Sequence, residues 1–315
     1  MKELNDDHKK KLSKISGDPL EKLKAKNAIN AEFYESVRIE CLKALEAFSS
    51  PKPKYTSVIV DEAQDFDETK FKLIRALAGP EHKNDLFITG DTRQELYLEK
   101  PPILSHCGIN IKGRSFRLRI NYRTTEEIRA FAANILKGMK LGDMDGGSID
   151  QPDEEGDARC ISLRHGEVPL IEFCPFYDQQ VRKLVELIGN LQNQKVPDLS
   201  ICVVAYTKHS VKEIAKAMRR AKISVVNLGN ATNKSNDPEI SGVRVATMHR
   251  IKGLDFKYVL VVDANPSLFS KSVSSTETEI DEKEARERRA YYVAMTRAQQ
   301  GLCVLGVTPQ KNTSE

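Results

Sequence analysis

Three consecutive β-branched residues, Val58-Ile59-Val60, run straight into two adjacent carboxylates, Asp61-Glu62. A strand with one wet face alternates apolar and polar residues. A short unbroken apolar run instead marks a strand covered on both faces, as in parallel sheets flanked by helices. The residues after it keep to that scheme. Glu68 to Ala78 has helical spacing, and a second apolar run, Leu86 to Thr89, stops at Gly90-Asp91. Strand, helix and strand in this order imply an α/β fold built on parallel sheet, with acidic residues at the carboxyl ends of the strands, where ligands of open α/β sheets sit.

The alternation resumes downstream. Ser115 to Ile120, Ile171 to Phe173, Ile201 to Ala205, Ser224 to Asn227, Val243 to Ala246, Val259 to Val262 and Leu302 to Val307 read as strands. Thr125 to Leu136, Gln179 to Leu191, Lys212 to Lys222 and Lys283 to Met295 read as helices. Three divisions follow: a helical N-terminal segment over 1–54, a partial first lobe over 55–113 and a complete second lobe over 114–315. In the first division, Phe33, Val37, Cys41, Leu42 and Leu45 fall at helical spacing before Pro51 and Pro53. Gly142 to Gly147 reads as a turn and Ser267 to Asp281 as a surface loop.

Composition narrows the function classes. The 315 residues carry 49 Lys and Arg against 45 Asp and Glu, a net charge of +4, so any nucleic-acid contact must come from a local basic patch. No apolar run approaches membrane-spanning length, and the polar start is unlike a signal peptide; a soluble cytoplasmic protein with no membrane partner is expected. The six cysteines never form a Cys-x-x-Cys pair, which argues against a zinc knuckle or a disulfide frame.

Five blocks carry chemistry. The first is Val58 to Asp65, where one carboxylate can hold Mg²⁺ on a nucleotide while its neighbour orients or deprotonates the attacking water. The second is Leu86 to Tyr97, in which Gln94 offers an amide to a phosphate. Leu118 to Thr124, Thr247 to Phe256 and Glu287 to Ala298 complete the set. Taken singly, the arginines of these blocks read as surface ion-pair partners and His249 as a structural histidine. Tyr291 and Tyr292, adjacent on the last helix, read as core.

In this order the five blocks resemble motifs II, III, IV, V and VI of the UvrD/Rep-like superfamily 1 DNA helicases. The run Cys107 to Arg129 further resembles a subgroup of UvrD-like proteins in which it leads into the second motor lobe. The resemblance implies RecA-like lobes of the P-loop NTPase fold, with ATP and Mg²⁺ as cofactors and single-stranded or partly duplex DNA as partner. It implies that Asp61 and Glu62 serve the metal and the hydrolytic water, that Gln94 senses the γ-phosphate, and that Arg123 and Arg297 reach it from the second lobe. Lys252 and Gly253 would lie by the nucleotide and Asp255 by its ribose. Tyr97, Thr247 and His249 would meet the strand. A role in DNA repair or recombination, with 3′-to-5′ movement, is the family default.

The sequence also departs from the pattern. No G-x-x-x-x-G-K-[ST] run occurs, and the imitation at Gly229 to Ser235 has Asn233 where the second glycine belongs. There is no Trp, so Leu98 and Glu99 stand where an aromatic usually follows motif III, and Asp255 stands where the family usually has Glu. Only 124 residues separate Arg123 from Thr247, too few for a large inserted accessory domain. Two functions fit: part of an ATP-dependent DNA helicase whose phosphate loop lies on another polypeptide or on further sequence, or a degenerate motor that grips DNA or regulates a partner without hydrolysing ATP.

Overall fold

The computed structural model describes residues 55–96, 102–139, 141–142, 148–149, 160–229, 240–270 and 281–308, together with Ile39 and Lys43. Tyr97, all but Ile39 and Lys43 of the helix expected over residues 30–48, most of the Gly142 to Gly147 turn and residues 271–280 of the expected loop lie outside them. Chain contacts divide the molecule into two compact units. The first takes in Met1–Gly90, Lys100–Arg114 and Met144–Gly146, and the second Asp91–Glu99, Ser115–Asp143 and Gly147–Glu315.

In the first unit β1 (Val58–Val60) pairs in parallel with β2 (Leu86–Ile88), Ile59 opposite Phe87, and α1 (Glu68–Ala78) connects them. Asp67 starts α1 by accepting the Lys70 N–H at 2.9 Å, and Gly79, at φ 75°, ends it. One face of the pair carries a small core in which Val60, Phe71 and Ile74 meet Leu104, Cys107 and Ile109. Asp85, nearly buried, pairs with Arg75 at 2.7 Å and accepts the N–H groups of His82 and Leu86. Burial pushes the pKa of its carboxyl up, but Arg75 and the two N–H donors outweigh burial and hold it below the usual range.

The second unit opens with β3 (Ile120–Thr125) and α2 (Glu126–Asn134), followed by the short antiparallel pair β4 (Leu141–Gly142) and β5 (Ser148–Ile149). Then come β6 (Ile161–Arg164), β7 (Leu170–Cys174), α3 (Tyr177–Asn193), β8 (Ile201–Ala205), α4 (Lys208–Arg220), β9 (Val225–Asn227), β10 (Val243–Thr247), β11 (Phe256–Ala264), α5 (Ser267–Ser270), α6 (Glu282–Met295) and β12 (Ala298–Val307). Six strands form one parallel sheet in the order β7-β12-β11-β8-β10-β9. Strand β8, at its interior, is buried at all five positions. Alternate residues feed two cores: Cys202 and Val204 join α2 and α6 on one face, while Ile201, Val203 and Ala205 join α3 and α4 on the other. This is the α/β parallel architecture expected from the strand pattern.

Two expectations change. The strand expected over Ser115 to Ile120 begins instead at Ile120, where pairing with Ile161 of β6 sets its start, so Asn121 to Thr125 are strand and α2 opens only at Glu126. The expected surface loop opens as the helical turn α5, whose Leu268 is buried and whose Phe269 packs edge-on to Tyr291. Tyr291 and Tyr292 are buried, as their adjacency on α6 suggested.

Candidate functional site

The acidic turn of the first unit is built by strand ends. The Ala63 N–H donates to Thr89 O at 2.9 Å and the Thr89 N–H to Val60 O at 2.8 Å, which ties the residues after β1 to those after β2. Asp61 Oδ1 then accepts the Thr89 hydroxyl at 2.6 Å and the Glu62 N–H at 2.9 Å. These bonds, the hydroxyl first, hold the Asp61 carboxyl below its ordinary value, so it is anionic at neutral pH. Glu62 has left-handed backbone, φ 54° and ψ 39°, a conformation costly for a residue with a Cβ. Its carboxylate accepts from the Gln64 amide. Among the described residues no group of three or more His, Cys, Asp or Glu could hold a metal ion by itself. Two adjacent carboxylates, one of them fixed and anionic, fit Mg²⁺ as it is usually held, by one or two protein oxygens with waters and substrate phosphates completing the shell.

In the second unit Gln94 is a hub. It sits at the end of a 3-10 turn, Thr92–Gln94, started by Asp91, whose carboxylate accepts the Arg93 N–H at 3.0 Å and the Gln94 side-chain amide at 2.8 Å. With its NH₂ so committed, Gln94 turns its Oε1 to Arg297, which donates through Nη2 at 2.9 Å. The Gln94 backbone carbonyl accepts from Lys252 Nζ at 3.1 Å. Leu96, two residues on, is buried in the core beside α6. Asp91–Glu99 therefore groups with the second unit although it continues directly from the end of β2.

Arg297 follows α6 and is only 1% exposed. Its Nε donates to Val293 O at 3.2 Å, and its Nη1 lies 3.9 Å from Asp255. Asp255 also meets Arg123 Nε at 3.1 Å. A buried guanidinium is tolerated only with hydrogen-bond partners and a counter-charge, and this cluster provides both. Five residues singled out in the sequence, Gln94, Arg123, Lys252, Asp255 and Arg297, are thus brought together from four separate blocks.

The turn after β10 sets the rest. The Arg250 N–H donates to Thr247 O at 2.9 Å, and Arg250 Nε to Leu228 O at 3.0 Å. Gly253, at φ 79°, takes the left-handed conformation that lets Lys252 and Asp255 lie on either side of it. His249 is half-buried, its ring centroid 5.9 Å from that of Tyr206, and burial lowers its pKa, which favours the neutral imidazole at pH 7. Thr247 ends β10 and Tyr206 directly follows the neighbouring strand β8, so Thr247, His249 and Tyr206 gather at carboxyl ends of adjacent parallel strands. Sequence reading missed Tyr206, and it placed Asp91 at a strand end without giving it a role. Tyr206 directly follows β8, and Asp91 lies three residues past the end of β2, the region from which parallel sheets present functional groups.

Sequence comparison bears on the same segments. A profile of the UvrD/REP helicase N-terminal domain matches residues 2–98, and one of the UvrD-like helicase C-terminal domain matches residues 223–307. The ATP-dependent DNA helicases PcrA of Staphylococcus epidermidis and Staphylococcus aureus are each 38% identical over 68 residues, which is 22% of this chain and 9% of theirs. Among solved structures, the C-terminal domain of a possible DNA helicase from Lactobacillus plantarum aligns with 61% of this chain and 91% of its own, at 18% identity and a TM-score of 0.41. With both family profiles placed in order on segments that carry four of the five blocks, the chain belongs to the UvrD/Rep-like helicases of superfamily 1.

Proposed function

We propose that this chain is the C-terminal part of an ATP-dependent DNA translocase, which couples ATP hydrolysis to movement on single-stranded DNA in repair or recombination. The observation that carries the reading is the Gln94 hub. One side chain bonds the buried Arg297, and its own carbonyl holds Lys252, so the block after β2, the turn after β10 and the end of α6 share one hydrogen-bonded network. Such a network is suited to link nucleotide state to the strand-facing turn that carries Thr247 and His249.

The chemistry divides by residue. Bound Mg²⁺ would neutralise charge on the nucleotide phosphates. Asp61 would hold that ion, and Glu62 would orient the attacking water and accept its proton. Arg123 and Arg297 supply guanidinium charge of the kind that stabilises a transferring phosphoryl group. Both already have Asp255 as counter-ion, so a phosphate must compete with that carboxylate. Lys252 and Gly253 would shape the nucleotide side of the turn, with Asp255 toward the ribose. Thr247, His249 and Tyr97 would contact the strand, and a neutral His249 would do so by hydrogen bonding and stacking, not by charge.

With no glycine-rich Lys-Ser/Thr loop in these 315 residues, hydrolysis is expected only when that loop is supplied, by further sequence of the same protein or by another polypeptide. The test is ATP hydrolysis with and without single-stranded DNA, first by the chain alone and then with a glycine-loop lobe of a PcrA-type helicase added. Strand-stimulated turnover that appears only on addition is the expected result. Strand binding with no turnover in either case would favour the second reading, a non-hydrolysing module that binds DNA or regulates a partner, which the missing loop also supports.

A further inference from the structure

Helices α3 and α4 follow the parallel strands β7 and β8 and cover the same face of the six-stranded sheet. Between them runs a groove of about 490 Å³, lined by residues that belong to none of the five blocks. Its floor is aliphatic: α3 sets Val181 and Val185 one turn apart, while α4 offers only Ala217 and, just past its end, Ala221. Gly189 continues the α3 row, and a Cβ there would meet open space. The charged lining residues sort by position. Asp178 and Glu213 come earlier in their helices and Arg182 and Arg220 later, by about 6 Å on α3 and about 10 Å on α4. At the acidic end Glu213 has Lys216 at 3.2 Å, and burial, with Asp263, Glu213 and Asp178 nearby, pushes the pKa of the Tyr177 phenol up to about 12. At the basic end neither Arg182 nor Arg220 has a carboxylate partner among the described residues.

From this pattern we infer that the α3–α4 groove docks a helix of a partner protein, with an apolar ridge for the aliphatic floor, an acidic residue for Arg182 and Arg220, and a basic residue one to two turns away for Asp178 and Glu213. Charge complementarity selects this occupant. Two guanidiniums without carboxylates call for an anion, and the separation of the two charged ends matches one to two turns of helix. Nucleic acid fits poorly, because Asp178 and Glu213 repel phosphates and the floor, Tyr177 apart, has no ring on which a base could stack. A second copy of the chain fits poorly too. Among the described residues its helices expose no large apolar side chain except Ile39 and Tyr177, so they offer no ridge.

The inference is independent of the nucleotide and strand readings above, so it can fail while they stand. The full chain is panned against a displayed library of helical peptides with leucine at every third or fourth position and Glu, Lys, Gln or Ala at random between. Enriched peptides are then labelled and their affinities measured by fluorescence anisotropy, with and without (dT)20. Variants are Arg182→Glu/Arg220→Glu, Ala221→Gln and, as a reversal of equal charge outside the groove lining, Lys208→Glu/Lys212→Glu, each checked by circular dichroism for a native fold. The inference predicts peptides that carry Glu and Lys one to two turns apart. Their affinity should fall by about tenfold or more with the arginines reversed and fall also in Ala221→Gln, while the Lys208→Glu/Lys212→Glu variant and (dT)20 leave it unchanged. Replacing the peptide's Glu by Lys should restore binding to Arg182→Glu/Arg220→Glu. Failure to enrich any peptide overturns the inference, as do enriched peptides whose affinity both groove variants leave within about twofold of wild type. Displacement by (dT)20 would mark the groove as a nucleic-acid contact and overturn it as well.

Discussion

Individual side chains in this molecule carry strain or charge that only a functional role or a dedicated partner accounts for. Glu62 holds left-handed backbone at the end of β1. Replacing it by Gly should remove that strain and raise stability by up to about 1 kcal/mol, measurable by urea denaturation, while abolishing hydrolysis in the complemented system. Gly253 is the converse case. At φ 79° with open space around its Cβ direction, Gly253→Ala meets no steric block, only the backbone penalty, and should cost about 1 kcal/mol. Gln180 is completely buried on α3 and uses both ends of its amide on Asp263, donating to Oδ1 at 2.6 Å and accepting its N–H at 3.1 Å. Gln180→Leu would leave both groups of Asp263 unpaired and should destabilise the second unit by about 1–3 kcal/mol. His249 belongs here as well. Its pKa is lowered in the fold, so the unfolded chain binds the proton more readily. The stability this contributes is fully present above the unfolded value near 6.5 and is lost as pH falls below it. His249→Asn should flatten that part of the stability profile.

At the scale of elements, what could be read from sequence followed burial. Strand β8 (Ile-Cys-Val-Val-Ala) and the buried centre of β11 are short apolar runs of the kind that sheets covered on both faces demand, and β10 differs only by the buried Arg244. Their positions were legible to within a few residues, as was α1 with its Asp67 start and Gly79 stop. Strand β3 was placed about five residues too early because the alternation of apolar and basic residues is the same from Phe116 to Tyr122. Only the partner strand decides where pairing begins. That partner, β6, was not legible, since three of its four residues are exposed and the one buried position is Ser162. The contacts of Gln94 were likewise hidden: it meets Arg297 across 203 residues of chain, and no local pattern encodes such a contact. Motif order pointed to both residues as functional, but not to their hydrogen bond or to the shared counter-ion Asp255. The junction of β3 and α2 is one place where an element boundary can be tested. Thr125 ends the strand that carries Arg123 and caps α2 by accepting the Ile128 N–H. Thr125→Ala should lower the stability of the second unit by about 1 kcal/mol.

On the scale of the whole molecule the two units differ in what supports them. Among its described residues the first has two short strands and one compact core, and it relies on a nearly buried ion pair. Asp85, held below its usual pKa, contributes stability that is present above about pH 4 and is lost as pH falls through its folded value. Acidification should therefore weaken the first unit, and Asp85→Asn should weaken it already at neutral pH by leaving Arg75 without its carboxylate. Proteolysis monitored on either side of pH 4 checks this. The second unit, with its six-stranded sheet covered on both faces, holds Gln94, Arg123, Lys252, Asp255 and Arg297 in one network and carries the central claim of a nucleotide-driven motor. The most direct measurement is single-strand-stimulated ATP hydrolysis by the chain supplemented with a glycine-loop lobe, comparing wild type with Arg297→Ala. A fall of roughly 10³-fold or more, the range seen when an arginine of this kind is withheld, is the predicted result; equal rates in the two proteins would contradict the account.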